Sequence, residues 1–496
     1  MKKFYFVFCM VFISTGIYAE DFFVKPGATG MGTSWDDAAD FAEALSWAEN
    51  DDRIFVAKGT YQGSFKCSMA VTVYGNCEGT EEEPPVYTSA EGLETFLVGA
   101  GGGKRVLYLD KEPSKWYGFD ISGGNASNET TGQGRGGGVY VNNGGATMSY
   151  CRIHDNSGMD GTYKIAKSNG NPVIGVGGGA YILHGNLIYC IIEDNTAMIN
   201  PWMAESKVWS TGVGGGIVLD ATVGNDCTPE TATIQGCIIR RNSTTPEDDS
   251  NSYPSQGGGA AVKSGTVVSC LIIENHIYGS KNNQNVGGGL ACTERHADII
   301  NCTFVGNTNK GLGGGLGFQT TNASGVNASV SNVISWYNVS RDDSYGEGNA
   351  NVRYGSSTDT ALDGKISIGA ISVPEATVSP NAITSEPMFV DVLSGDYHLQ
   401  DGSPCIDAGD EPPVAPYAFD LDGNDRISGD APDLGCYEKS GSTGINSEYI
   451  NNEQLISESY YTPAGIRISK HVGGQICIVR KVYKSGKVSV EKHVNK

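Results

Sequence analysis

The sequence predicts an all-β fold, a right-handed parallel β-helix solenoid with an N-terminal capping helix and a small C-terminal β-domain. Three observations carry this. Glycine supplies 69 of 496 residues and charged residues only 18%; glycine costs about 1 kcal/mol per helix position relative to alanine, so the chain is not mainly helical. A glycine triplet followed by a strand-like run recurs six times, from Gly136, Gly177, Gly214, Gly257, Gly287 and Gly313. Each copy leads to a second strand ending in asparagine, at Asn156, Asn195, Asn242, Asn275, Asn307 and Asn338, at spacings of 39, 47, 33, 32 and 31 residues.

A repeat of that length with no helical period is one rung of a stack. Cys151, Cys190, Cys237, Cys270 and Cys302, with Val333 in the sixth copy, share one position, and Ile153, Ile192, Ile239, Ile272 and Phe304 stand two residues on. A period of two puts both columns on one face, the tube interior. The glycines suit sharp corners, and the asparagines can hydrogen-bond to their equivalents one rung away. No triplet continues into a phosphate-binding pattern.

Before the repeats, Thr33 or Ser34 can cap a helix from about Asp36 to Glu49, whose apolar stripe is Ala38, Phe41, Ala42, Leu45 and Ala48. Such a helix would close the open end of the tube. Residues 1–19 read as a secretory signal: Lys2 and Lys3, an apolar run from Phe4 to Ile13, and cleavage after Ala19. That run is too short to span a bilayer, and no transmembrane segment is expected. The net charge of −22, which becomes −24 without Lys2 and Lys3, argues against nucleic acid as a partner.

Export permits disulfides. The column cysteines are poor candidates, because parallel side chains one rung apart stand too far apart and side by side. Cys67 with Cys77, and Cys405 with Cys436, each bracket a turn-rich segment and are the expected bridges.

The segment VKPGATGMGTSWDDAADFAEALSWAENDDRIFVAKGTY resembles the opening rung of pectate-lyase-like right-handed β-helix proteins, and the GGG and CxxxxN repeats resemble polymorphic outer-membrane adhesin repeats. PMFVD, YHLQDGSPCIDAGD, DLDGNDR and DLGCYE, between Pro387 and Glu438, are similar to the choice-of-anchor Q module of secreted β-helix proteins, departing from it at Cys436. YYTPAGIRIS and ICIVRKV resemble strands of C-terminal sorting domains of type IX secretion cargo, which implies delivery by an export machinery to the outer-membrane surface or release. The expected organisation is a signal at 1–19, cap and first rung at 20–80, rungs at 81–386, terminal module at 387–438, linker at 439–457 and sorting-like domain at 458–496.

Loops between each asparagine and the next triplet hold 20, 18, 14, 11 and 5 residues, so stacked on one edge they form a wall that falls away along the axis. Trp202, Trp209, Tyr163 and Tyr253 lie in these loops, where rings can stack on sugars. His154, Glu193 and Arg240 form an outward column, followed by Asp155, Asp194, Arg241 and Glu274. A lyase needs a base and cations to act on uronates, and a hydrolase needs facing carboxylates; His154, Glu193 and Arg240 are the catalytic candidates. Asp420, Asp422 and Asn424 are candidate calcium donors, although the glycine is misplaced for an EF-hand. The expectation is a monomeric, exported β-helix that binds a polysaccharide or cell-surface glycan through its loops; the alternative is a polysaccharide lyase or glycoside hydrolase, and a third reading is a structural stalk.

Overall fold

The computed structural model describes residues 19–496 apart from 143, 160–172, 199–209, 222–231, 245–254, 279–284, 294–295, 310, 312, 319–326, 341–351, 355–365, 369–370, 375–378, 380, 411–418, 440–454, 462–466, 469–475, 484–487 and 495–496. The signal segment therefore lies outside the described residues but for Ala19.

Each rung gives three short strands to three parallel sheets. The strand after the glycine triplet enters the first sheet, as at Val139–Val141, Ala180–Ile182 and Ile217–Asp220. The next strand enters the second, as at Ala146–Ser149 and Gly185–Ile188. The strand before the asparagine enters the third, which among the described residues has ten strands from Gly59–Gly63 to Ile371–Ser372. Ala260–Val268 runs unbroken from the first sheet into the second and joins them. Register holds from rung to rung: Ile153 pairs with Ile121 on one side and Ile192 on the other. The chain is thus a parallel β-helix.

The columns read from the sequence line the interior. Cys151, Cys190, Cys237, Cys270, Cys302 and Val333 are at most 1% exposed, and Ile153, Ile192, Ile239, Ile272 and Phe304 are fully buried, each large side chain contributing roughly 1.5–3 kcal/mol of hydrophobic stabilisation. The asparagines form a continuous ladder in which Nδ2 of each donates to Oδ1 of the next, from Asn156 through Asn195, Asn242, Asn275 and Asn307 to Asn338, at 2.8–3.1 Å. The first glycine of each triplet turns the corner with positive φ, as at Gly177 (φ 64°) and Gly214 (φ 61°).

The capping segment is shorter than expected. Ser34 starts a 3-10 turn over Trp35–Asp37, and the helix proper is Phe41–Trp47, because Asp40 takes the cap position and accepts from the Ala42 and Glu43 amides. Ala38 and Ala39 are extended, and Ala39 bridges to Val24. Phe41 plugs the tube against Tyr61, Phe65, Trp116 and Phe119.

Residues 387–438 lie against the side of the tube. Their hairpin, Phe389–Asp391 with Asp396–Leu399, and Cys405, Leu434 and Cys436 share one apolar cluster with Leu271, Ile273, Val305 and Ile334 of the third sheet. Asn332 clasps both backbone polar atoms of Asp410 at 2.8 Å, and the Cys436 amide donates to Thr303 Oγ1 at 3.0 Å. A four-stranded antiparallel sheet occupies the C-terminus, from Leu455–Tyr461 through Arg467–Ile468 and Ile476–Tyr483 to Val488–Val494.

Candidate functional site: the charged corner of the third sheet

The outward positions of the third sheet change character along the axis. Later rungs carry the apolar residues that the terminal module covers; earlier rungs carry Asp120, Arg152, His154, Glu193 and Arg240. The structure brings all three catalytic candidates together. Register places Glu193 beside both His154 and Arg240 on neighbouring strands.

Glu193 is the hub. Its side chain is fully buried, and it accepts from Arg152 Nε at 2.6 Å, Arg240 Nε at 2.5 Å and Arg241 Nη2 at 2.5 Å. Burial alone would push this carboxyl up, but the hydrogen bonds from Arg240 and Arg152 outweigh it and hold the group at about 2. His154 has both ring nitrogens on carboxylates, Nε2 on Asp120 and Nδ1 on Asp155, each at 2.7 Å. Burial works against its charge, yet the bonds to Asp120 and Asp155 raise its pKa above the ordinary value. In this geometry His154 has no free lone pair for proton abstraction, and Glu193 cannot touch a polymer. What remains available is hydrogen bonding by Arg152, Arg241 and the surface carboxylates.

The two corners flanking each third-sheet strand share the left-handed backbone conformation. At the corner shared with the second sheet stand Tyr150 (φ 52°), Tyr189 (φ 51°), Ser269 and Asn332; at the far corner stand Asp155 (φ 51°), Asp194 (φ 53°), Arg241 (φ 52°) and Glu274 (φ 53°). The first corner is covered. Tyr150 and Tyr189 stack at 5.6 Å with Tyr87 laid over Tyr150, and Ser269 and Asn332 donate to the Phe419 and Asp410 carbonyls. The far corner is open: Asp155, Asp194, Arg241 and Glu274 are all exposed, one per rung. Arg241 binds Asp194 in two places, at 2.8 and 2.9 Å.

Beside this corner the long loops begin to stack as the spacing predicts. Ser157–Met159 pairs with Thr196–Met198, Val173–Val176 pairs with Ser210–Val213, and Ser243 bridges Thr196 to His276. The loop aromatics Trp202, Trp209, Tyr163 and Tyr253 lie outside the described residues.

The calcium donors do not converge. Asp420 accepts from the Asn424 amide at 2.6 Å, Asn424 Nδ2 at 3.1 Å and the Glu438 amide at 2.9 Å, while Asp422 faces His398 Nε2 at 2.8 Å. The cluster is a side-chain-stabilised turn. Among the described residues, no group of three or more His, Cys, Asp or Glu is arranged to hold a metal ion.

The disulfide expectations also need correction. Cys67 belongs to the tube interior, whereas Cys77 belongs to the outer aromatic cluster of Phe55, Tyr74, Tyr87, Tyr117 and Tyr150; alternation along the strands sends the two side chains to different layers. Cys405 and Cys436 do share the module core, but all four are free thiols.

A strip on the first sheet escaped the sequence reading. Tyr108, Tyr140 and Tyr181 follow one another at 5.3 Å between ring centroids, the first pair tilted and the second edge-on, with Lys66 over Tyr108, Arg105 over Tyr108 and Tyr140, and Arg135 over Tyr181. The signal was the tyrosine recurring at the centre of LYL, VYV and AYI. Burial and the covering cations leave Tyr140 and Tyr181 little open ring face, so the strip serves as a packed brace.

No family model matches the chain, and no curated protein matches it. Among solved structures, it is similar to pectate lyase Pel9A, with a TM-score of 0.38 and 13% identity over 86% of this chain and 98% of that one. It is similar to an alginate lyase from Paenibacillus sp. str. FPU-7, with a TM-score of 0.28 and 12% identity over 70% and 99%, and to a pectin methylesterase from Aspergillus niger, with 0.28 and 11% over 70% and 94%. The fold assignment rests on the strand pairing itself. No helix among the described residues is long and apolar enough to cross a membrane.

Proposed function

We propose that this chain is an exported β-helix, surface-attached or released, that binds an extended polysaccharide along the open corner of its third sheet. The supporting observation is the exposed row Asp155, Asp194, Arg241 and Glu274, one side chain per rung. Rungs repeat every ~4.8 Å along a rigid axis, so the row offers evenly spaced donors and acceptors to a polymer lying parallel to the tube. Mixed signs suit hydroxyl-rich chains, and the −22 net charge disfavours nucleic acid. In this reading residues 1–19 direct export, residues 458–496 engage the export machinery, and the chain acts as a monomer.

The test is a retention screen of the chain from Glu20 against neutral and acidic polysaccharides, with and without calcium, repeated with Asp155, Asp194, Arg241 and Glu274 changed together to alanine. At least tenfold weaker retention by the folded variant is expected. Wild-type retention by that variant would remove the corner from the reading. Release of new reducing ends or unsaturated uronates would replace binding with hydrolase or lyase action.

A further inference from the structure

Glu20 stands just ahead of the first strand, and its backbone is fixed on both sides. Its amide nitrogen donates to Asp52 Oδ1 at 2.7 Å, and its carbonyl accepts from the Arg53 amide at 2.9 Å. From there Asp21–Val24 runs in register beside Arg53–Ala57, and Arg53 Nε binds Asp21 at 2.7 Å.

Asp52 is only 5% exposed. Its Oδ2 accepts from the Glu49 amide at 2.7 Å, and its backbone carbonyl accepts from the Thr72 amide at 2.9 Å. The residue thus ties the segment after the capping helix to the strands beneath it. Among the described residues, no Lys, Arg or His pairs with Asp52, and the adjacent Arg53 is engaged by Asp21. A buried carboxylate held by two amide hydrogens alone lacks a countercharge.

Removal of residues 1–19, the export reading on which this inference rests, supplies that charge. A signal peptidase adds water across the Ala19–Glu20 peptide bond; the carboxylate leaves with Ala19, and the freed Glu20 amine takes up a proton to become an ammonium. We propose that Asp52 is the receptor for the α-ammonium of mature Glu20, so that signal removal converts an amide hydrogen bond into an ion pair and tightens the cap. A peptide amide needs only a neutral acceptor, whereas a carboxylate in this place suits a cation. The uncleaved chain lacks the pair, and its cap is held more weakly until the signal has gone.

The experiment starts from the exported protein, whose first residue, read by mass spectrometry, is expected to be Glu20. A different first residue overturns the cut itself, and the ion pair with it. The chain from Glu20 is then compared with one carrying about ten Gly and Ser residues before Ala19, a flexible extension that keeps the Glu20 nitrogen as a peptide amide. The extended chain is expected to have the lower urea midpoint; an equal or higher midpoint overturns the proposal while leaving the cut intact. Asp52→Asn is expected to lower the midpoint of the Glu20 chain roughly twice as far as that of the extended chain, or more, and equal losses overturn the pairing. Acylation of the Glu20 amine at neutral pH is expected to run about tenfold faster in Asp52→Asn than in wild type, because loss of the carboxylate frees more of the unprotonated amine. Equal rates assign Asp52 an amide-capping role alone and overturn the proposal.

Discussion

A Cβ built on Gly216 would stand 2.7 Å from Cγ of Asn242, and the same approach recurs between Gly179 and Asn195 and between Gly259 and Asn275. The third glycine of these triplets is therefore the floor beneath the asparagine ladder. Gly216 has no positive φ to explain it, so the constraint there is contact alone. Gly216→Ala is expected to cost about 1–3 kcal/mol through overpacking and a displaced ladder amide, read as a lower urea midpoint. An unchanged midpoint would mean that Asn242 shifts freely and that the two motifs are independent.

The thiol column predicts a chemical phenotype. Each column cysteine is buried among parallel neighbours, with the Cys151, Cys190 and Cys237 amides 3.4–3.5 Å from the sulfur of the next rung. Native protein should leave Cys151, Cys190, Cys237, Cys270 and Cys302 unlabelled by a maleimide over hours, and urea should expose all five. Mass spectrometry after labelling without reductant should also find Cys67 and Cys77 unbridged; a Cys67–Cys77 disulfide would contradict their separate layers.

Repetition decided what could be read in advance. The interior columns, the ladder and the stacked loop bases were legible because six copies expose which positions must match. The helix limits were not, because Asp40 competes with Ser34 as a cap within one short segment and only packing selects between them. His154, Glu193 and Arg240 were found as neighbours, but their roles were not: sequence spacing shows that charges share a column, and only geometry shows that Glu193 is neutralised by Arg240, Arg152 and Arg241 and His154 by Asp120 and Asp155. The side-docked module was equally hidden, since the apolar outward positions Leu271, Ile273 and Val305 read as ordinary strand residues until a cover is seen.

His398 predicts a weak alkaline limb. Its ring bridges Asp422 at 2.8 Å and Asp396 at 2.6 Å and lies 4.0 Å from the Tyr437 ring. The hydrogen bond to Asp422, opposed by burial and aided by Asp396, raises the imidazole to about 9. A raised folded-state pKa gives stability that is complete below about 6.5 and fades as pH rises through about 9. The trio is partly exposed, so His398→Gln should cost under about 1 kcal/mol. An NMR titration placing the imidazole at its ordinary value would break this assignment.

Glu193 predicts the opposite limb. Its folded-state value of about 2 lies below the ordinary 4.5, so its contribution is fully present above about pH 4.5 and is lost as pH falls toward 2. The shift corresponds to about 3 kcal/mol, an order-of-magnitude figure. Glu193→Gln would leave Arg152, Arg240 and Arg241 crowded around a neutral amide, with an expected loss of about 3–5 kcal/mol at neutral pH. The variant should also show a flatter stability profile between pH 4.5 and 2 than wild type, measured by urea unfolding at each pH. Parallel profiles would mean that the acid limb comes from other carboxylates and that Glu193 is not the hub of the corner.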